Sequence, residues 1–410
     1  MSVTLQEIED GIHSADASVR LSWAGRHDFT PTPEQVEVGL TDVDEQVRWA
    51  WTQRRDFTPT PKQVERGLND ESADIRWEWA WRTEFTPTPE QVERMLQDPN
   101  ECVREAWAKR EDFKPTSEQI ERGLTDTHVL VRLAWVRRTD WTPTAQQADR
   151  GLRDEFDDIR KAWSLRMDFN PTAQQAENGM VDACIEVRIA WARRMDWTPT
   201  PEQIESGLTD SFPSIRSAWA QRTDFTPTME QAERGLMDED WIVRVSWLKR
   251  VDYVLTPEQA ERCLRSFNVH VQIACIQRTD FTPTPEQIER GLIDPNAGVR
   301  SVWAKRKDFT PTPEQIERGL TDESPWVRMA WAQRTDFTPT PEQIDRGVHD
   351  TNLEVLLTWL IRQDVTWTEE QITRGLQHPN AGIRGVWEHI LQNQITCNSE
   401  CHENMMVASI

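Results

Sequence analysis

An arginine following Val or Ile falls at Arg20, Arg48, Arg76, Arg104, Arg132, Arg160, Arg188, Arg216, Arg244, Arg300, Arg328 and Arg384, every gap being 28 residues or a multiple of it. Gln272 and Leu356 occupy the two remaining slots. Fourteen units therefore run in register without insertion or deletion. A fixed period of this length specifies a stack of small supersecondary units. Each unit buries its apolar face only against its neighbours, which overrides the two or three globular domains that 410 residues would otherwise suggest. The expectation is one continuous repeat array over residues 1–392. Residues 1–14 form a half-repeat cap, residues 253–278 a degenerate unit, and residues 393–410 a poorly ordered tail.

One unit shows why the array is all-α. Pro31 and Pro33 disfavour helix at Thr30 and Thr32, so Asp28-Phe29-Thr30-Pro31 is extended. Thr32 then reads as an N-cap, Pro33 as the first helical residue and Gln35 as its capping-box partner. Glu34 and Glu37 fall where the helix dipole favours acids. Gly39 recurs in most units, and two readings stay open: a left-handed residue ending the helix, or a helical position crowded by a neighbour. Met95 and Cys263 in that slot favour crowding, because neither tolerates positive φ well. Thr41-Asp42 breaks the chain and caps a second helix over Val47–Arg54, which places Val47, Ala50, Trp51 and Arg54 in one arc. The unit is a short helix, a turn, a second helix and a Pro-rich return.

Three residues after the signature arginine stand Trp23, Trp51, Trp79, Trp107, Trp135, Trp163, Trp191, Trp219, Trp247, Trp303, Trp331, Trp359 and Trp387; Cys275 breaks the series. Each indole shares its helix face with a Val and an Ala that must be buried, and the rest of the unit offers little bulk. The ladder is therefore expected to be core, an exposed aromatic rail being the alternative. A second arginine three residues further on, such as Arg54 or Arg334, lies at the helix C-terminus. There it can bond free carbonyls, stack on the indole or pair with the Asp two residues later.

Binding sites in repeat proteins sit where the pattern varies. The slot just after the signature arginine holds Trp49 and Trp77 in successive units, with Trp81 one turn beyond Trp77. These three are the candidate binding residues if that surface is open; the alternative is that the slot packs under the next unit.

The formal net charge of −23 argues against nucleic acid and anionic membranes as direct partners and favours a basic protein or peptide. The first ten residues lack the basic and apolar regions of a signal peptide, no apolar run approaches a membrane span, and six scattered cysteines fit reduced thiols, so a cytoplasmic location is expected. No phosphate loop, nucleophile elbow or metalloprotease motif occurs, and no enzyme activity, cofactor or metal is expected. Cys397, Cys401 and His402, with His389 upstream, match no standard zinc spacing.

At Leu320-Thr-Asp322 to Val327-Arg-Met-Ala-Trp-Ala332, and at the Thr-Pro-x-x-Gln that follows, the chain resembles bacterial HEAT-like repeats and most of all the leucine-rich repeat variant family. The resemblance spans essentially the whole chain and implies a right-handed α-solenoid of about fourteen 28-residue two-helix repeats. It specifies fold rather than activity. The unit here is longer than that family's, Trp replaces an aliphatic residue, and the cysteine cluster of its iron–sulfur member is absent. The expected function is a non-enzymatic binding scaffold presenting a long groove. Two alternatives are an acidic nucleic-acid mimic, with carboxylate rows at Glu34, Glu37, Asp42 and their echoes, and a HEAT-like glycosylase or lyase.

Overall fold

A computed structural model describes residues 4–392; the tail over 393–410, with Cys397, Cys401 and His402, lies outside the described residues. Among those residues the chain is all-α, an α-solenoid of about fourteen two-helix repeats. It divides into two compact units, Met1–Gly207 and Leu208–Ile410. In the first unit an apolar core runs from Ile8 to Trp163. The helix Leu5–Ile12 packs against Trp23 as the first helix of a complete pair.

The first helix of each repeat begins where the sequence places it. Thr32 caps Pro33–Leu40: its Oγ1 accepts the Gln35 N–H at 3.3 Å, and Gln35 Oε1 accepts the Thr32 N–H at 2.9 Å. The second helix differs from expectation. It spans Glu45–Gln53, and its N-cap is Asp44 rather than the Thr41-Asp42 break. Asp42 is thereby free for another task, since its Oδ1 accepts the Asp44 N–H at 2.8 Å and its carboxylate takes both Nε and Nη2 of Arg20 at 2.6 and 2.8 Å.

That pairing is one of three kinds of clamp that recur between successive repeats within each unit. In the first, the signature arginine reaches forward to an Asp 22 residues on, as Arg48 does to Asp70 at 2.9 and 3.0 Å. Its Nη1 meanwhile donates back to the Asp42 carbonyl at 3.0 Å, which fixes the guanidinium's orientation. In the second, the other arginine reaches backward. Arg54 Nη1 donates to the carbonyls of Ala24 and Arg26, Nη2 to that of Phe29, and Nε to Asp56, all within 3.1 Å. Its guanidinium lies between the Phe29 ring of the preceding repeat and its own Trp51. The carbonyls left free by one helix end are thus satisfied by the following repeat.

The third clamp joins first helices. Glu65 accepts from Arg94 at 2.9 Å and from Gln91 at 3.0 Å, so the Arg94 hydrogen bond chiefly holds its carboxyl at about 2, below the ordinary 4.5. Glu261 is held at about 2 in the same way by Arg290. A carboxyl depressed on folding contributes stability that is complete above its unfolded value and is lost as pH falls through its folded value. The thermal midpoint followed by circular dichroism is therefore expected to hold near neutrality and fall between about pH 5 and pH 2. A midpoint flat across that window would contradict the ladder's contribution.

The tryptophan series is interior. Eleven of its members, from Trp51 to Trp359, are 2 % exposed or less; Trp387 is buried and only Trp23, in the first repeat, is half-buried. The glycine column explains how the indoles fit. Among the described residues none has positive φ, so these glycines are ordinary helical positions. A Cβ on Gly123 would stand 2.1 Å from Trp135 Nε1, and one on Gly67 1.9 Å from Trp79 Nε1. Absence of a side chain in the first helix makes room for the indole of the second. The degenerate unit keeps this logic by changing both partners: Cys263 replaces the glycine and Cys275 the indole, both thiols are buried, and Cys275 Sγ donates to the Ala260 carbonyl at 3.7 Å.

Candidate functional site

Residues that belong neither to the core nor to a clamp are left for binding. On the second helices these are the slot after the signature arginine and the slot one turn further. Trp49 is 39 % exposed and Trp81 43 %, whereas Trp77 is half-buried against the core. Trp77 and Trp81 meet edge-to-face, with ring centroids 6.0 Å apart and planes at 73°. Lys109, one repeat on from Trp81, places its Nζ 5.8 Å from the Trp81 ring centre.

The first of these slots varies with its occupant. Ser217 and Ser301 are buried and touch the following repeat, Ser217 Oγ lying 2.8 Å from Ser246 Oγ. A tryptophan is too large to follow them, so Trp49 stays partly in water. Open surface and packing beneath the next unit are thus both realised, in different repeats.

Four repeats along from Trp49, the same two slots line a cleft. It has a volume of about 580 Å³ and is walled by Val136, Arg137, Lys161, Leu165 and Met167. Lys161 and Leu165 occupy the slots that Trp77 and Trp81 occupy three repeats earlier. Leu165 is 58 % and Met167 61 % exposed. Lys161 pairs with Glu186 of the next repeat. Across the first unit the outer slot reads Gly25, Gln53, Trp81, Lys109, Arg137, Leu165 and Arg193. The local sign of this row is apolar and cationic, although the chain as a whole is acidic.

The perturbed carboxyl nearest the indoles is Glu78. Burial pushes it up, and Arg55 contacts it at 2.7 Å. Its Oε1 is engaged in that ion pair. Crowding at the glycine column and the pairing of the second arginine with the Asp two residues later were expected from the sequence, whereas the indole as the crowding neighbour, the acids 22 residues on and the pocket at Lys161 and Leu165 were not. The 28-residue Asp column beginning at Asp42 was a visible signal for those acids.

Among solved structures, the chain is similar to one described as a leucine-rich repeat variant with a novel repetitive protein structural motif. The two are 22% identical, the match covers 62% of this chain and 87% of the other, and the TM-score is 0.38. At that score the likeness carries no weight for function, and the fold rests on the helix pairs described above. No protein-family model matches the chain, and no curated protein does.

Proposed function

We propose that the protein is a non-enzymatic scaffold that binds a partner protein or extended peptide along the open row of second helices in its first unit. The observation that carries this is the coincidence of position: Trp49, the Trp77–Trp81 pair and the cleft at Lys161 and Leu165 all use the two slots spared by the clamps. Aromatic side chains half in water beside a cleft supply contact area at low conformational cost. The net charge of −23 favours a partner of basic character at long range, while Lys109, Arg137 and Arg193 suit backbone carbonyls or occasional acids at the rungs they occupy. No helix among the described residues is long and apolar enough to cross a membrane.

Two features weigh against a nucleic-acid mimic. Of its three expected carboxylate rows, Asp42 is nearly buried against Arg20 and Glu37 is bound by Arg66 at 2.6 Å. Only the Glu34 row stands free as an exposed series.

The test is a peptide selected from a random library on the intact protein. Trp49→Ala, Trp77→Ala and Trp81→Ala together are expected to weaken its binding at least about tenfold, with the helical circular dichroism retained. A folded triple variant of unchanged affinity would remove these residues from the site. An affinity that collapses steeply with added salt would favour the mimic instead.

A further inference from the structure

One signature arginine has lost its acid. In the second unit Arg216 grips Asp238 with Nε and Nη2, both at 2.7 Å, and Arg300 and Arg328 grip Asp322 and Asp350 alike. Arg244 keeps the backward half of the same clamp: its Nη1 donates to the carbonyls of Asp238 at 2.5 Å and Glu239 at 3.1 Å. The guanidinium is therefore held as in its counterparts. The residue 22 positions on, however, is Ser266. The next slot, where Glu239 and Glu323 assist Arg216 and Arg300, holds Phe267. Both anions are gone, and among the described residues Arg244 has no ion pair.

A cavity of about 510 Å³ opens at this point, with Arg244, Ser266, Phe267, Met237 and Cys263 in its wall. Arg262 also lines it but is already bound by Glu233 at 2.6 Å. Phe267 is fully exposed and Met237 60 % exposed, so a charged fork at the wall is bordered by apolar side chains in water.

We infer that this cavity binds a carboxylate carried by a peptide, seated on Nε and Nη2 of Arg244 where the next repeat's aspartate sits elsewhere, with an adjoining apolar side chain on Phe267 and Met237. Planar, two-point donation matches a carboxylate, and the clamps of Arg48 with Asp70 and of Arg300 with Asp322 show that fork closed by one. The strongly acidic chain repels polyanions, so the ligand is a single carboxylate in a neutral or basic peptide. The site lies in the second unit and stands whether or not the tryptophan row of the first unit binds.

Ligand-observed NMR titration of the full chain tests this with four small probes and inorganic phosphate. N-acetyl-leucyl-aspartic acid amide carries a side-chain carboxylate, and N-acetyl-leucine a terminal one; the asparagine amide and N-acetyl-leucinamide are their neutral counterparts. At least one carboxylate probe is expected to bind about tenfold or more tightly than its neutral counterpart, and whichever binds tells whether the partner offers a side chain or a chain end. Ser266→Asp, which restores the internal acid, is expected to abolish that binding while raising the thermal midpoint. Arg244→Gln is expected to abolish it without raising the midpoint. Four results would overturn the assignment: equal binding of charged and neutral probes, binding undiminished in Ser266→Asp, phosphate tighter than either carboxylate, or no saturation below about 10 mM.

Discussion

Gly319→Cys is expected to destabilise the protein by roughly 2 kcal/mol, and the same change combined with Trp331→Cys by well under the sum of the two single effects. Gly319 sits inside the helix Pro313–Leu320, and an added Cβ would stand 2.1 Å from Trp331 Nε1, 2.2 Å from Cδ1 and 2.4 Å from Cε2. The helical backbone itself favours a residue with a side chain, so the cost comes from overpacking against an indole that is 1 % exposed. Trp331→Cys alone removes that indole and leaves a cavity, for roughly 3–5 kcal/mol. Together the two changes reproduce the Cys263 and Cys275 pair that the tenth repeat already carries, so each fills part of the space that the other creates. A double-mutant cycle from urea midpoints is expected to show about 1–3 kcal/mol of favourable coupling. Strict additivity would mean that the glycine is not there for the indole. Met95 beside Trp107, buried at 2 % and 0 %, shows that a repeat can accommodate a side chain in this slot, which makes the effect a repacking cost rather than a prohibition.

The repeat, its helix pairs and their capping boxes were legible because they are local. A Pro beside a Thr, with Gln three residues on, states its structure within four positions. The buried indoles were legible for a related reason: Trp51 shares a helical phase with Val47. What the sequence hid was everything between repeats. Arg48 and Asp70 lie 22 residues apart, Arg54 and the Ala24 carbonyl 30 apart, and no helical or strand periodicity connects such positions. One signal was nevertheless available. Setting the arginine column against the Asp column at an offset of 22 pairs every signature arginine from Arg20 to Arg328 with an acid except Arg244. At Leu356 and His378 both members have changed together, which is what a lost contact looks like; at Arg244 and Ser266 only one has. The degenerate unit over 253–278 thus carries two separate changes, a compensated core exchange and an uncompensated clamp.

The tryptophan row was half legible. The residues after the signature arginine include Trp49 and Trp77, but whether that slot is wet depends on the facing repeat as well as on side-chain volume, since Leu133 is buried there and Leu357 exposed. Small residues such as Ser217 disappear beneath it, and indoles do not. The cleft at Lys161 and Leu165 carries no aromatic marker, so only the shared slots connect it to the indoles.

Arg138→Ala is expected to cost more than any surface change in the chain, about 3–5 kcal/mol. The side chain is 8 % exposed and closes one interface from several directions. Its Nη1 donates to the carbonyls of Ala108 at 2.9 Å and Arg110 at 2.5 Å, Nη2 to that of Phe113 at 3.2 Å, and Nε to Asp140 at 2.9 Å. Its guanidinium also lies 4.7 Å from the Phe113 ring centre and 5.4 Å from that of Trp135. Removal leaves buried carbonyls at the end of the preceding repeat without donors, and a carboxylate without its counter-charge. Arg138→Lys is expected to recover less than half of the loss, because a single ammonium cannot span three carbonyls and still stack between two rings. The larger consequence concerns cooperativity. In a repeat array, stability passes from unit to unit through nearest-neighbour interfaces, so weakening one lets the flanking segments open separately. Hydrogen exchange of Arg138→Ala is expected to show Glu101–Ala108 and Val129–Arg137 losing protection with different free energies, where the parent protein opens them together. A variant within about 1 kcal/mol of the parent, or full rescue by lysine, would show that the backward arginines decorate the interfaces rather than hold them.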